Sequence, residues 1–274
     1  MSLIATSFPG EMRRPRAARH LGMGLIVLVA AFGLLGPTLI GIDPASQNLY
    51  AGLRPPGAAH WLGTDLLGRS VLSRLAHAAQ LSLGLALLAA ITAAVPGVLL
   101  GVVAAWRGGR IERALVLLAD AVMSLPGLLV VLLFASLAPG RHWALYVGLS
   151  LSLWVEYFRV SRAASRPVLA GDAVQASRLL GFGPLYVMRR HLLPALAPTL
   201  TTLLAFSVAQ AVLALAALGF IGVGLQPPAP ELGLMMTEFL PHYEEAPWLI
   251  AAPVLLLMAL VLGMMLLGSD KVGA

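Results

Sequence analysis

The chain contains no cysteine, which excludes disulfides, a thiol nucleophile and thiolate metal sites. Charge is scarce: Asp, Glu, Lys and Arg make up 11% of the 274 residues, against about 25% in soluble domains. There is no phosphate-binding Walker A loop, no Gly-x-Ser-x-Gly elbow, no His-Glu-x-x-His pair and no clustered carboxylates. Nucleotide hydrolysis, acyl transfer and zinc hydrolysis therefore lack their usual side chains, and the chain is not expected to be an enzyme. The histidines His20, His60, His77, His142, His191 and His242 are scattered with no His-x-x-x-His pair, so no metal site is expected. Internal repeats and low-complexity tracts are also missing.

Apolar residues are what the sequence has instead. They make up 59% of it, and the mean hydropathy is +0.89. A soluble core of this size cannot hold that many, so the membrane is the natural solvent. The net charge of +6 would suit nucleic acid, but the arginines sit at the ends of apolar runs rather than on a polar face. Nucleic acid is therefore rejected as a partner.

A membrane-crossing helix needs about 20 apolar residues. Six runs are candidates: Leu21–Ile42, Leu81–Trp106, Ala114–Ala138, the short Trp143–Phe158, Ala197–Leu218 and Trp248–Gly268. The fifth could continue through the glycines of Gly219–Gly224, which suggest a bend or close packing. Pro96, Pro126 and Pro253 each interrupt a run and are expected to bend it. Fourteen of the 18 basic residues fall before the first run, between runs two and three, between four and five, or after six. The positive-inside rule then puts both termini in the cytoplasm. The basic N-terminus has no small-x-small cleavage site after its long apolar run, and is read as a retained signal-anchor. The expected organisation is a cytoplasmic tail (1–20), a first span (21–42), an external segment (43–80), a five-helix core (81–268) and a cytoplasmic tail (269–274). The outer segments 43–80 and 226–247 are long enough to fold as short helices and present a docking surface, or to serve as plain connections.

Between spans four and five lies a polar stretch punctuated by Gly and Pro, Gly171–Pro184, continuing through Arg189-Arg190-His191 to Pro194. It reads as two short helices joined by a tight turn at the membrane surface. Leu169, Ala173, Ala176 and Leu180 fall on one helical stripe. Gly181, Gly183 and Pro184 break the first helix, and Pro184 suits the first turn of the next. Gly181 fits a turn that needs positive φ. Arg178, Arg189 and Arg190 can pair with acidic groups or lipid phosphates. Without further information the segment could equally be a loop lying on lipid headgroups.

This layout resembles the cytoplasmic coupling loop of bacterial ABC-importer permeases, which docks on an ATPase subunit. The stretch His60–Arg74, with Gly63, Thr64, Asp65, Gly68 and Arg69, is similar to the segment after the first span in dipeptide, oligopeptide and nickel permeases. Gly222-Val223-Gly224-Leu225-Gln226-Pro227-Pro228, Ala246-Pro247-Trp248 and Leu266-Leu267-Gly268 also match that family. The resemblance implies an all-α, polytopic bundle of six transmembrane helices with the type I importer permease fold, in the bacterial cytoplasmic membrane. It implies a second, homologous permease, two ABC ATPases that hold the ATP and magnesium, and an extracytoplasmic solute-binding protein. No cofactor is expected on this chain. Within the coupling loop (161–196) the implied residues are Asp172, Gln175, Ala176, Ser177, Arg178, Gly181, Arg189, Arg190, His191 and Pro194. The chain departs from the family at Gln175-Ala176-Ser177, where Glu-Ala-Ala is usual, at Leu215 for Glu, at Leu232 for Trp, and in its short tail. The cargo is expected to be peptides or nickel and metal–chelator complexes. Ala176-Ser177-Arg178-Leu179 leans slightly toward the nickel type.

Asp120 lies inside span three. An intramembrane carboxylate is a functional candidate by default, for a proton relay or cation path, and would be the main support for an ion-coupled secondary carrier. Missing inverted repeats argue against that carrier. The plainer reading is a structural pair with an arginine such as Arg159. Glu156 and Arg159, three apart, are expected to pair locally. His191 is expected to bond backbone near Pro194. His242, beside Met235 and Met236, is a weak candidate for sensing a metal–chelator cargo.

Overall fold

The computed structural model describes residues 16–268, with side chains from residue 18 onward. Arg13, Arg14, Lys271 and the tail 269–274 lie outside the described residues, as does most of the tail 1–20. Among the described residues there is no strand, and ten α-helices follow one another. α1 (Arg16–Ile40), α2 (Val71–Arg107), α3 (Gly109–Met123), α4 (Gly127–Leu137) and α5 (His142–Ala170) form the first half. α6 (Asp172–Leu179), α7 (Pro184–Val187), α8 (Leu193–Phe220), α9 (Leu232–Phe239) and α10 (Pro247–Gly268) form the second.

The six-span count does not hold as written. Among the described residues, four helices are long and apolar enough to cross a membrane, and five if the bent pair α3–α4 counts as one. The run Ala114–Ala138 is broken at Ser124-Leu125-Pro126, and its halves meet at 70°. Proline at the break has no N–H to donate and disfavours helix in the residue before it. Pro96 and Pro253, in contrast, lie inside continuous helices. α5 has 29 residues, ample for a crossing of about 1.5 Å per residue, but Ser150, Ser152, Glu156 and Arg159 dilute its apolar run. α2 starts at Val71, ten residues before the apolar run Leu81–Trp106, because Ser70 caps it by accepting from the Ser73 N–H. α8 stops at Phe220 rather than continuing to Gly224.

The most extensive helix pairing joins α2 and α5. Small residues permit it: a Cβ on Gly101 would overlap the Ser161 hydroxyl of α5. α8 is the most deeply buried of the spanning helices, and Val208, Val212, Leu215 and Leu218 sit in the main core with Ala86, Ala90 and Leu149. α1 lies at the periphery against α2 and α10. A separate small core of Val102, Leu169, Val174, Val187, Leu192 and Leu196 anchors α6 and α7 beneath the bundle.

Candidate functional site: a surface knob and a buried charge cluster

Two constructions carry the motif residues, and they form from different parts of the chain. The first is the knob between α5 and α8. α6 ends in a Schellman motif, in which the Gly181 N–H donates to the Arg178 carbonyl and the Phe182 N–H to the Ser177 carbonyl. Gly181 takes φ +82°, in the left-handed region, with open space around it. Pro184 then occupies the first turn of α7. The second helix is not a separate short piece: α7 runs through a π-type turn, Met188–Leu192, into α8 as one 37-residue helix, Pro184–Phe220. Pro194 sits in the first turn of α8.

The inward face of α6 is Val174 and Ser177. Leu169 is buried too, but it belongs to α5, so the stripe Leu169–Ala173–Ala176–Leu180 is split between two helices. Ala173, Ala176 and Leu180 face outward. Leu179 is 89% exposed and Leu180 76%, a cost that a solvated surface normally avoids. Leu185 and Phe182 extend the patch, with Phe182 stacked on Tyr186 at 4.2 Å. Arg189 and Arg190 are exposed beside Leu185 and Tyr186, where they line a groove.

Polar contacts lock the knob to its base. The Ser177 hydroxyl donates to the Ala173 carbonyl at 2.8 Å, so His191 Nε2, 2.9 Å away, is the donor in their bond. His191 thus bonds a side chain in α6 rather than backbone near Pro194. Gln175 donates to the Ala170 carbonyl at 2.9 Å, which ties α6 to the end of α5. The Arg178 guanidinium lies over the Trp106 ring at 4.9 Å and joins α6 to the end of α2. Asp172 stands in the first turn of α6, where a negative charge suits the helix dipole.

The second construction is the segment 43–70 with α9. Gly63 and Gly68 both have positive φ, and a Cβ on Gly68 would overlap the Asn48 carbonyl. Thr64 is fully buried: its hydroxyl donates to the Ala51 carbonyl and accepts from the Arg54 N–H. Asp65 Oδ1 accepts from the backbone N–H groups of Leu67 and Arg69. Asp65 Oδ2 holds Arg69 at 2.6 Å and Arg74 at 2.7 Å. Glu238 of α9 closes the cluster, 2.5 Å from Arg74 and 3.1 Å from Arg69. Two acids and two bases therefore balance in a site where Arg74 has no exposure at all. Such a cluster persists only when fully paired, because an ion out of water is costly alone. Arg74 and Glu238 are the functional candidates that sequence reasoning missed. Arg74 lies in the motif, but nothing local marks Glu238, 164 residues away. At the start of α9, buried Glu231 accepts from the Gly233 and Leu234 N–H groups. Burial raises its pKa above the ordinary carboxylate value, and these backbone bonds offset only part of the rise.

The acids of α3 pair with arginines of α5. Asp120 of α3 meets Arg159 of α5 at 2.5 Å. Glu112 holds Arg162 at 2.9 Å and also Arg166. The expected local pair of Glu156 and Arg159 does not form, because Asp120 has taken the arginine. Among the described residues no group of three His, Asp or Glu could hold a metal, and His242 joins no such group.

Comparison with known proteins agrees with this architecture. The family described as "Binding-protein-dependent transport system inner membrane component" matches residues 97–269. The chain is 36% identical over 255 residues to the di/tripeptide transport system permease protein DppC of Pseudomonas aeruginosa, covering 90% of this chain and 84% of that protein. It is 31% identical to the dipeptide transport system permease protein DppC of Haemophilus influenzae, covering 91% and 86%. The nickel transport system permease protein NikC of Escherichia coli is 30% identical, with 91% and 90% covered. Among solved structures, inward-facing MetNI, a methionine ABC transporter, aligns with a TM-score of 0.57 at 20% identity, covering 71% of this chain and 92% of that one. The likeness to MetNI shows the fold.

These findings define the class: a multi-pass inner-membrane permease with the ABC importer fold. The chain belongs to the family of binding-protein-dependent transport system inner membrane components. An ion-coupled secondary carrier finds no support in that membership.

Proposed function

We propose that this chain is one of two permease subunits in an ATP-driven importer of small peptides. The observation that carries the reading is the knob. An apolar, outward-facing patch at Leu179, Leu180 and Leu185 stands on a base locked by Ser177–His191 and Arg178–Trp106. A surface meant for water would not expose these leucines, and a flexible one could not transmit force. An ATPase cleft fits both properties.

In this reading two ATPases bind ATP and magnesium, one beneath each permease. ATP binding favours their closed state, which presses the knob and turns the cavity outward; hydrolysis resets it. α5 runs from the outer loop to the knob as one helix, so a push at α6 reaches the membrane core directly. Both chain termini and the knob face the cytoplasm, where Arg189 and Arg190 are also placed to meet lipid phosphates. The solute-binding protein docks outside, on the segment stiffened by Asp65, Arg69, Arg74 and Glu238. Peptides are preferred as cargo because two relatives above 30% identity are named for dipeptide or di/tripeptide transport. The nickel permease at 30% identity keeps nickel as the second reading, and the sequence lean toward it rests on a segment that faces the ATPase.

Purification from native membranes in mild detergent tests this. The expected result is a second permease and Walker-type ATPases in the same complex, with ATP-dependent dipeptide uptake after reconstitution. Recovery of the chain alone in several detergents would overturn the reading.

A further inference from the structure

A cleft of about 580 Å³ opens where α3 stops and α4 begins. Its walls are the break at Leu125-Pro126-Gly127, the face of α5 around Glu156, and Gln210 of α8. This volume lies in the range of small-molecule sites, about 300–1,000 Å³. The lining is mostly apolar, with four polar side chains: Ser152, Glu156, Arg159 and Gln210.

An ionisable side chain facing lipid is strongly disfavoured, so a bundle face carrying several of them turns toward a polar path or another chain. Arg159 is held through Nη2 by Asp120. Glu156 has a different position. It lines the same cleft one turn before Arg159, and among the described residues no hydrogen bond or ion pair reaches it. The arginine that could neutralise it is already taken. A lone carboxylate in a mostly apolar cleft is a strong acceptor waiting for a cation with N–H donors. Gln210 and Ser152 add neutral donors and acceptors of the kind that peptide amides need.

We propose that Glu156 receives the ammonium group of a peptide in transit and so selects for ammonium-bearing cargo. This rests on the peptide-import reading above. The binding protein delivers the cargo from outside, and the cleft at the α3–α4 break is the place within the membrane where its positive end is held. Because the contact is a single charge-assisted one, it is strong enough to select and weak enough to release.

The test uses the whole complex with its binding protein in proteoliposomes, and dialanine as the probe. Glu156→Gln is expected to lower maximal uptake about tenfold, the effect of losing one charged hydrogen bond. Glu156→Asp is expected to keep uptake within about threefold, and both variants to assemble at wild-type yield. A second arm uses the absence of cysteine from the chain. Glu156→Cys is expected to react with a charged methanethiosulfonate reagent, faster than Leu255→Cys on the exposed face of α10. Dialanine, binding protein and ATP together are expected to slow the Glu156→Cys reaction. Wild-type uptake by Glu156→Gln, or labelling of Glu156→Cys no faster than Leu255→Cys, would overturn the assignment. Failed assembly of Glu156→Gln with unprotected labelling would assign Glu156 to a contact with another subunit, and also overturn it. A wild-type complex that hydrolyses ATP but accumulates no dialanine would instead overturn the peptide reading itself.

Discussion

Ser177 and His191, fourteen residues apart, are joined by a 2.9 Å hydrogen bond that ties the first helix of the knob to the π-type turn leading into α8. The bond makes the knob and the long helix behind it one body. Ser177→Ala leaves the imidazole N–H without its acceptor, a local loss of about 1 kcal/mol. The expected outcome is a complex of normal yield that spends more ATP per solute imported. Simultaneous measurement of phosphate release and uptake in proteoliposomes checks it. An unchanged ratio would make the bond incidental to coupling.

Gly181 is a cleaner probe, because its surroundings are empty and only its φ of +82° constrains it. A β-branched residue is an outlier there, and the left-handed conformation costs an L-residue about 1–2 kcal/mol. Gly181→Val is expected to insert normally and lose coupled uptake while the ATPases still hydrolyse ATP. Gly181→Asn, which tolerates that conformation, is expected to retain most uptake. Equal loss in both variants would point away from backbone conformation.

The Asp65–Arg69–Arg74–Glu238 cluster predicts a stability effect. Arg74→Ala strips buried Asp65 and part-buried Glu238 of a partner, and breaking a buried pair typically costs about 3–5 kcal/mol. A lower melting temperature in detergent is expected, larger than for Arg54→Ala on the exposed loop, where about 0.5 kcal/mol or less is usual. Equal melting of the two variants would remove the cluster from the account of the outer segment.

Asp120→Asn separates a structural pair from a proton relay. An asparagine can still accept a hydrogen bond from Arg159 in this position, but it cannot take up a proton. Uptake by Asp120→Asn is expected to stay near wild type, with the same profile between acidic and neutral pH. Abolished uptake with a normally assembled complex would return Asp120 to the list of functional carboxylates.

Glu231 predicts a pH dependence. Its pKa in the folded chain is raised above the ordinary value of 4.5, so the folded state binds the proton more tightly than the unfolded one. The stabilising contribution is complete below that ordinary value and is lost as pH rises through the raised one. Melting temperature is therefore expected to fall with rising pH across this window, and Glu231→Gln to flatten the slope. The same slope in both proteins would remove Glu231 as its source.

Much of the class was legible in the chain. Runs of about 20 apolar residues with arginines at their ends mark a membrane protein, since lipid demands apolar side chains all round a helix and water takes the charges. Gly181 and Pro184 announced the turn in the knob, because backbone conformation at such positions follows from the residue itself. The Asp120–Arg159 pair was also within reach, because an acid inside an apolar run calls for a base and few were near. Other features were not legible. Leu169 fell on the same arithmetic stripe as Leu180 but belongs to another helix, since Gly171 ends α5 between them. Pro126 marked a bend in the Ala114–Ala138 run, but not that the helix would break there and turn by 70°, which Pro96 and Pro253 do not do in their own helices.

The sequence by itself determined the solvent, the helical class and the turns, which depend on side chains and backbone torsions a few residues apart. Only the tertiary structure decided which charges meet. Arg74 could have paired with any acid outside the membrane, and it is the packing of α9 against α8 and α10 that brings Glu238 to it. Glu156 and Arg159 were neighbours by spacing, yet the approach of α3 to α5 gave the arginine to Asp120 and left the glutamate facing the cleft. Long-range pairing depends on where folded helices sit in space. Local residue preference carries no record of that.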